Sequence, residues 1–332
     1  MDTQKWHDAQ IKTALELVNL GSQNLRQSNV SAATEILGEA QAVLDMTEGD
    51  DLEVSKLRAR VFNEMGVIHQ RQNDLEGARE YHRKAANLCT EITGRGEDFR
   101  ANSAATHLNL SSILAAMDRS EEAQEAGELA LELIGSLREG GDKGADGLAM
   151  GAYQNLAVIY ARKRDLEKAA DQMEKAIAVG EMLSKQAPGQ IDAQLAQGCQ
   201  QISVIFFEAE NYDAALEWGR RAESFSERAY EAVGEPVLSV YVVSEINLIS
   251  YYEKMAQFAN AEDCLWKALE TAGNDPQIMR RGLGFYETCR KQADPRLEAG
   301  NLPREEVEEG YKELQSRIEA MGGLPPVQAQ SR

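Results

Sequence analysis

The chain has 332 residues, with 43% hydrophobic and 6% aromatic side chains, only 7 prolines and a formal net charge of −20. This apolar content can bury a core, which excludes wholesale disorder, and the negative charge makes nucleic acid a poor partner. No segment approaches the roughly 20 apolar residues of a membrane helix, and no apolar signal segment opens the sequence. We therefore expect a helix-rich cytoplasmic protein without membrane insertion.

Alanines recur along residues 1–272 at steps of 45 or 46 residues. In each predicted helix pair the second helix opens with one alanine and carries another seven residues later. Because seven residues are about two helical turns, both alanines lie on one face of their helix. The repetition predicts six stacked helical hairpins with close contacts at the alanines. The first alanines are Ala33, Ala78, Ala123, Ala169, Ala215 and Ala261, and the second are Ala40, Ala85, Ala130, Ala176, Ala222 and Ala268.

The first helix of each predicted pair carries a mostly small residue twelve positions before the first alanine, and an apolar residue precedes the small one. Small side chains let two helix axes approach, and larger neighbours fill the space beside them. The small positions are Gly21, Gly66, Ser111, Ala157 and Ser203, with Ile249 as the exception, and the apolar positions are Leu20, Met65, Leu110, Leu156, Ile202 and Leu248.

The pattern weakens after residue 272, and residues 273–321 are predicted to form capping helices. One helix is expected over residues 276–293 and another over residues 303–321, which has an apolar stripe on one side and charge on the other. A terminal cap needs two such faces, one on the last repeat and one in water. Residues 322–332 are expected to form a flexible tail.

The small residue, the aromatic position that often follows it and the two alanines resemble the tetratricopeptide repeat (TPR). The period of 45–46 residues exceeds the usual 34 and resembles the long-repeat TPR adaptors of the kinesin light chain type. Residues 153–160 also come close to the Asn-Leu-Ala pattern of that group, with the sequence YQNLAVIY. The resemblance implies an all-α solenoid, a right-handed superhelix of about six helix pairs with a C-terminal capping pair, and a concave peptide-binding groove.

Two columns of polar residues on the first helices are the candidate groove. One column is rich in amides, which can bind an extended peptide backbone or can bond neighbouring hairpins to each other and stiffen the stack. The other is mostly basic and suits acidic partner segments, although a helix dipole also favours cations at these helix ends. The predicted groove residues are Asn19, Asn63, Asn109, Asn155, Gln201 and Asn247 among the amides, and Arg71, Arg162 and Lys254 among the cations.

The sequence offers no catalytic or metal-binding pattern. Its four cysteines are scattered without a CxxC spacing and are expected to act as small core side chains. The histidines form no HExxH or i, i+4 pair, and the glycine-rich segment 140–147 lacks the Gly-Lys-Ser/Thr ending of a phosphate-binding loop. We therefore expect no enzyme activity, no cofactor and no metal.

Three functions fit these features. The first is a protein-interaction scaffold or adaptor that binds a peptide or partner segment in the groove. The second is a structural subunit of a larger assembly, cytoskeletal or ciliary, that is held through the convex face and the ends of the solenoid. Trp218 and Trp266 on second helices would mark such a surface. The third is a regulator that senses a peptide. The partner and the oligomeric state are left open.

Overall fold

The computed structural model describes residues 3–47 and 51–325 of the chain. Fifteen α-helices and one 3-10 helix (Glu235–Val237) form the regular structure of these residues, and no strand occurs among them. This confirms the predicted all-α class. The helices are α1 (Thr3–Arg26), α2 (Val30–Asp45), α3 (Leu52–Arg71), α4 (Leu75–Gly94), α5 (Arg100–Ala116), α6 (Ser120–Glu139), α7 (Ala145–Arg162), α8 (Leu166–Ser184), α9 (Gln190–Glu208), α10 (Tyr212–Val233), α11 (Leu238–Lys254), α12 (Phe258–Ala272), α13 (Pro276–Arg290), α14 (Asp294–Ala299) and α15 (Arg304–Ala320).

The helices group into two compact units. Unit 1 is Met1–Lys163 and unit 2 is Arg164–Arg332, so α1 to α7 belong to the first and α8 to α15 to the second. Inside each unit, consecutive helices pack as antiparallel hairpins that stack in chain order, as a TPR-like solenoid requires. The predicted division at residues 272 and 321 and the right-handed superhelix stay predictions. Residues 326–332 of the predicted tail lie outside the described ranges.

The alanine columns lie where the helices come closest. All twelve alanines are at most 1% exposed. A Cβ atom added to Gly21 would lie 2.6 Å from Cγ of Leu37, and one added to Gly66 would lie 2.5 Å from the ring of His82. Larger side chains at these positions would therefore force the two helices of a hairpin apart.

A single left-handed residue lies in the turn before the second helix of each hairpin. Asn73 shows the arrangement, with φ of 61°. The amide of Asp74 donates to the carbonyl of His69 at 2.9 Å, and the Asp74 carboxylate accepts from the Gly77 amide at 3.0 Å, so one turn closes α3 and caps α4. The left-handed non-glycine residues are Ser28, Asn73, Asp118, Arg164, Glu210, Ala256 and Asn301.

The last of these turns, at Asn301, follows Ala256 by another 45 residues and identifies a seventh hairpin. It consists of α13 and α15, which pack against each other. Val307 and Leu314, seven residues apart and fully buried, stand on α15 where the earlier second helices carry their alanines. The region that the sequence predicts to be degenerate therefore follows the same plan with larger side chains at the crossing.

The C-terminal region contains one helix that the sequence does not predict. The helix expected over residues 276–293 ends at Arg290, and the six-residue α14 follows it. Pro295 in its first turn explains the break, because a proline ring clashes with the preceding turn of a continuing helix. Pro303 directly precedes α15 instead of lying inside it.

None of the helices in residues 3–47 and 51–325 combines the length and apolar character that crossing a bilayer requires.

Candidate functional site

The first helices of the hairpins pack side by side and form one face of each unit. In unit 1 this first-helix face consists of α1, α3, α5 and α7, and in unit 2 of α9, α11 and α13. The predicted groove residues all lie on these helices. Their side chains have different partners in the two units.

The amides of unit 1 bond to neighbouring hairpins. Oδ1 of Asn63 accepts from Nδ2 of Asn109 and from Nδ1 of His82, each at 3.1 Å. Nδ2 of Asn155 donates to the carbonyl of Leu108 at 3.3 Å. Oδ1 of Asn19 accepts from Nη2 of Arg60 at 2.9 Å. In this unit the amide column therefore stiffens the stack of hairpins.

The basic side chains of unit 1 cap helix ends. Nη1 of Arg71 on α3 donates to the carbonyl of Leu25 on α1 at 2.8 Å. Nη1 of Arg162 on α7 donates in the same way to the carbonyl of Ala115 on α5. The last carbonyls of a helix have no partner within the helix, and the dipole makes that end negative. Both arginines thus satisfy the end of the preceding first helix.

The corresponding side chains of unit 2 have no such partners. Gln201, Asn247 and Lys254 form no hydrogen bond or ion pair with any described residue. The neighbouring Gln200 takes over the stiffening role, since its Nε2 donates to the carbonyl of Val240 at 2.7 Å and to Ser244. Nζ of Lys254 lies over the ring of Tyr212, 5.6 Å from its centroid. The polar groups on this face remain available to a ligand.

A pocket of about 360 Å³ opens on the first-helix face of unit 2, and Lys254 is part of its lining. Nε of Arg281 donates to Oγ of Ser250 at 3.1 Å, and its Nη2 pairs with the carboxylate of Glu253. The exposed guanidinium of Arg296 has no partner among the described residues. The pocket is lined by Phe207, Ser250, Glu253, Lys254, Phe258, Arg281, Thr288, Gln292 and Arg296.

Of the predicted groove residues, only Lys254 lines this pocket, and sequence reasoning missed Arg281 and Arg296. The repeat could not indicate them, because the inserted α14 separates the first helix of the seventh hairpin, α13, from the turn at Asn301 and so moves α13 out of the repeat register. The sequence feature that could have located Arg281 is Gly282, a small residue in a predicted helix. In the structure, a Cβ atom added to Gly282 would lie 2.7 Å from the side chain of Leu265. Gly282 marks another close crossing and places the preceding arginine on a first helix.

The two tryptophans that would mark a contact surface in the structural-subunit alternative are both at least partly buried in unit 2. Trp218 is 4% exposed, and the guanidinium of Arg221 lies 4.5 Å from its ring. Trp266 is partly buried, and its Nε1 donates to Oη of Tyr286 at 3.1 Å. Aromatic residues of this size pack between hairpins because a repeat buries most of its apolar area against its neighbours.

One acidic cluster in unit 2 has the residue types of a cation site. The carboxylates of Glu223, Glu227 and Glu245 lie within 4.8 Å of one another. Nζ of Lys267 contacts two of them, at 2.5 Å from Glu223 and 2.6 Å from Glu227, so an ammonium group already lies between the acids. Glu245 is fully buried, neither of its oxygens has a hydrogen-bond partner among the described residues, and burial raises its pKa to about 8.

The cysteines and the buried histidine have properties of core side chains. All four cysteines are free and buried. Burial raises the pKa of Cys89 to about 11 and the pKa values of Cys199 and Cys289 to about 12, so their thiols stay protonated and weakly nucleophilic at neutral pH. Burial also lowers the pKa of His82 to about 4. None of these groups lines the pocket described above.

Comparison with solved structures relates the fold to several helical-repeat proteins. BtubC (BKLC) from P. vanneervenii is 18% identical, with 80% of this chain and 91% of that chain covered and a TM-score of 0.51. The apo form of RapI is 14% identical, with 92% and 99% covered and a TM-score of 0.55. NprR in complex with its cognate peptide NprX is 13% identical, with 99% and 92% covered and a TM-score of 0.50. These identities support a shared TPR-like fold and nothing finer.

A search of curated proteins found no match. A family model described as a family of unknown function, DUF6483, matches residues 53–319. The match spans well over half of the sequence and includes the first helices that carry the pocket of unit 2. The chain therefore belongs to the DUF6483 family.

Proposed function

We propose that this protein is a non-catalytic interaction scaffold that binds a peptide or partner segment on the first-helix face of unit 2. The observation that carries the proposal is that Gln201, Asn247 and Lys254 on this face have no hydrogen-bond or ion-pair partner in the part of the chain that the structure describes, and that Lys254 lines a pocket of about 360 Å³. Free amides can pair with the backbone of an extended segment, and a free cation can pair with an acidic group.

The contrast with unit 1 supports this choice of unit. There the side chains at corresponding positions bond within the protein, as with Asn63 and Asn109 or Arg71 and Leu25. Binding a ligand through them would break existing hydrogen bonds, whereas the side chains of unit 2 would gain partners. Ligand contact by Asn19, Asn63, Arg71, Asn109, Asn155 and Arg162 stays a weaker proposal for the same reason.

A peptide is a reasonable ligand for a fold of this kind. NprR, one of the structural neighbours, was solved with its cognate peptide. A peptide-sensing regulator is therefore a special case of the proposed scaffold, in which the bound segment would also alter a second interaction. The likeness is one of fold, so the identity of the segment must come from experiment.

The test is affinity purification after cross-linking from cells that produce the protein. Asn247→Ala with Lys254→Glu removes one amide and reverses one charge on the first-helix face of unit 2. Leu129→Glu with Met182→Glu alters two second-helix side chains that are 41% and 50% exposed, and serves as the matched control. Both double variants should keep the melting temperature of the parent, since all four residues are at least partly exposed.

We expect the Asn247/Lys254 variant to lose partners that the control retains. Retention by the first variant and loss by the second would favour the structural-subunit alternative, in which the second helices and the ends make the contacts. Retention by both would contradict the proposed use of the first-helix face.

A further inference from the structure

The pocket of unit 2 carries excess positive charge in a chain of net charge −20. Its one carboxylate, on Glu253, pairs with Arg281. Lys254 and Arg296 also line the pocket, and neither has a carboxylate partner among the described residues. Acidic residues outnumber basic ones by 55 to 35, so most cations of this chain have carboxylates nearby. Two cations without a carboxylate partner in one pocket therefore favour a negatively charged ligand.

Aromatic side chains form the apolar part of the same pocket. Phe258 lines the pocket and is only 1% exposed. Phe207 is partly exposed, and its ring packs against Tyr251 at 4.8 Å and Tyr212 at 5.3 Å between centroids. These contacts fix the ring of Phe207 in place, so an apolar side chain could bind against it without ordering the wall first.

The spacing along α11 connects the pocket to the free amide of the same helix. Asn247 precedes Lys254 by seven residues, which is two turns on one face and about 10 Å of helix. An extended peptide covers about 10 Å with three residues. A segment that pairs its backbone with Asn247 would therefore reach the two cations with a group about three residues further along.

We propose that this pocket binds a carboxylate that lies next to an apolar side chain in a peptide, with Lys254 and Arg296 pairing with the carboxylate and Phe207 packing on the apolar group. The inference rests on the proposed function and names the chemistry of its ligand. The carboxylate has two sources, an aspartate or glutamate side chain or the free C-terminus of a peptide, and both offer the same two oxygens.

The experiment uses the full chain and two pools of random decapeptides, one with free and one with amidated C-termini. Peptides retained by immobilised protein are sequenced, and the Kd of the best one is measured. Lys254→Ala with Arg296→Ala removes the two free cations. Lys143→Ala with Lys185→Ala is the control, because it removes two exposed lysines that line no part of the pocket. The control keeps the same net charge as the pocket variant.

We expect the parent and the control to select peptides with a carboxylate beside an apolar residue. The pocket variant should lose this selectivity and bind the best peptide about tenfold more weakly, or worse. Selection from the free-terminus pool alone would assign the α-carboxylate, and selection of aspartate or glutamate from both pools would assign a side chain. Non-specific attraction to a chain of net charge −20 would instead select basic peptides.

Two outcomes would overturn the inference and are distinguishable. If the parent selects peptides without a carboxylate preference, or the pocket variant keeps that preference, the assignment of Lys254 and Arg296 fails while the scaffold proposal stands. If no peptide is retained above bare resin, the proposed peptide-binding function fails as well.

Discussion

The two units bury ionisable side chains of opposite kinds. Unit 1 encloses His82 and unit 2 encloses Glu245, and neither side chain has any solvent exposure. Burial disfavours the charged form of each, so it lowers the pKa of His82 to about 4 and raises the pKa of Glu245 to about 8. Both are therefore mainly uncharged near pH 7. The stability of the protein should therefore fall in acid through His82 in unit 1 and in base through Glu245 in unit 2.

The first-helix faces differ in a parallel way. In unit 1 the amides and arginines join hairpins to one another, whereas the equivalent side chains of unit 2 have no hydrogen-bond partner within residues 3–47 and 51–325, and one of them, Lys254, lines a pocket. Polar groups that bond internally stiffen a stack, and polar groups without partners are solvated until a ligand arrives. Position in the repeat therefore does not determine whether a residue supports the fold or is available for binding.

The largest expected effect comes from Glu245→Gln in unit 2. The pKa of Glu245 is higher in the folded than in the unfolded chain, so the folded chain holds an extra proton between about pH 4.5 and 8. The free energy of unfolding of the parent should fall by roughly 2–4 kcal/mol between pH 5 and 9 from this group. The amide variant should lose most of that dependence and should be the more stable protein at pH 9.

Urea unfolding followed by tryptophan fluorescence measures this, because two of the three tryptophans, Trp218 and Trp266, belong to unit 2. Glu231→Gln is the control, since it makes the same change at an exposed position on α10. Equal pH dependence of the parent and of Glu245→Gln would show that the nearby ammonium group of Lys267 keeps Glu245 ionised in the fold despite its burial.

The next-largest effect is expected for His82→Gln in unit 1. Here the free energy of unfolding of the parent falls as the pH decreases, whereas the contribution of Glu245 falls as the pH increases. The pKa of His82 is lower in the folded than in the unfolded chain, so the unfolded chain takes up the proton first as the pH falls. The parent should lose roughly 2–3 kcal/mol of stability between about pH 6.5 and 4 through this group, and the variant should not. The comparison uses the pH dependence of the free energy of unfolding and not its value at one pH, because the substitution also changes packing against Gly66.

Thermal melts followed by circular dichroism at pH 4.5 and pH 7 test the prediction. His69→Gln is the comparison, since His69 is partly exposed and its Nδ1 bonds to the Asp74 carboxylate at 2.8 Å. A variant His82→Gln that loses as much stability in acid as the parent would contradict the role of burial at this residue.

The hairpins could be predicted from the sequence, because small residues such as Ala78 and Ala85 recur at a fixed spacing and are buried where two helices cross closely. The binding residues could be predicted less well, for a reason visible at Gln200 and Gln201. The two neighbours are the same residue type, yet one is buried against Val240 and the other is exposed. Register locates a side chain on a helix, but its partner depends on neighbours that the repeat does not specify.

A third prediction compares the amides of the two faces. Asn63→Ala should cost about 1–3 kcal/mol, because it removes the acceptor of both Asn109 and the fully buried His82, whose Nε2 already lacks a partner. Asn247→Ala should change the free energy of unfolding by less than about 0.5 kcal/mol, since its amide forms no hydrogen bond with any of the described residues. Urea unfolding of both variants at pH 7 measures the difference. Equal costs would remove the distinction between the two faces.

The smallest effect is expected for the cations, with Arg71→Met compared to Lys254→Met. Methionine keeps the apolar stem and removes the charge, so packing along each helix changes little. Arg71 bonds the carbonyl of Leu25 at 2.8 Å and should cost about 0.5–1 kcal/mol, a small value because the side chain is exposed. The ammonium group of Lys254 lies over the ring of Tyr212 and forms no hydrogen bond or ion pair among the described residues, so Lys254→Met should cost less than about 0.5 kcal/mol.

Differential scanning calorimetry resolves such changes as a lower melting temperature for Arg71→Met, by a few degrees or less, with Lys254→Met close to the parent. The order of the two variants should reverse in a peptide-binding assay, where the loss of Lys254 weakens binding and the loss of Arg71 does not. This reversal is the sharpest form of the comparison, because a general effect of removing positive charge would act on both variants in the same direction. A larger stability loss for Lys254→Met would mean that this lysine supports the fold, and the pocket would then lack one of its two free cations.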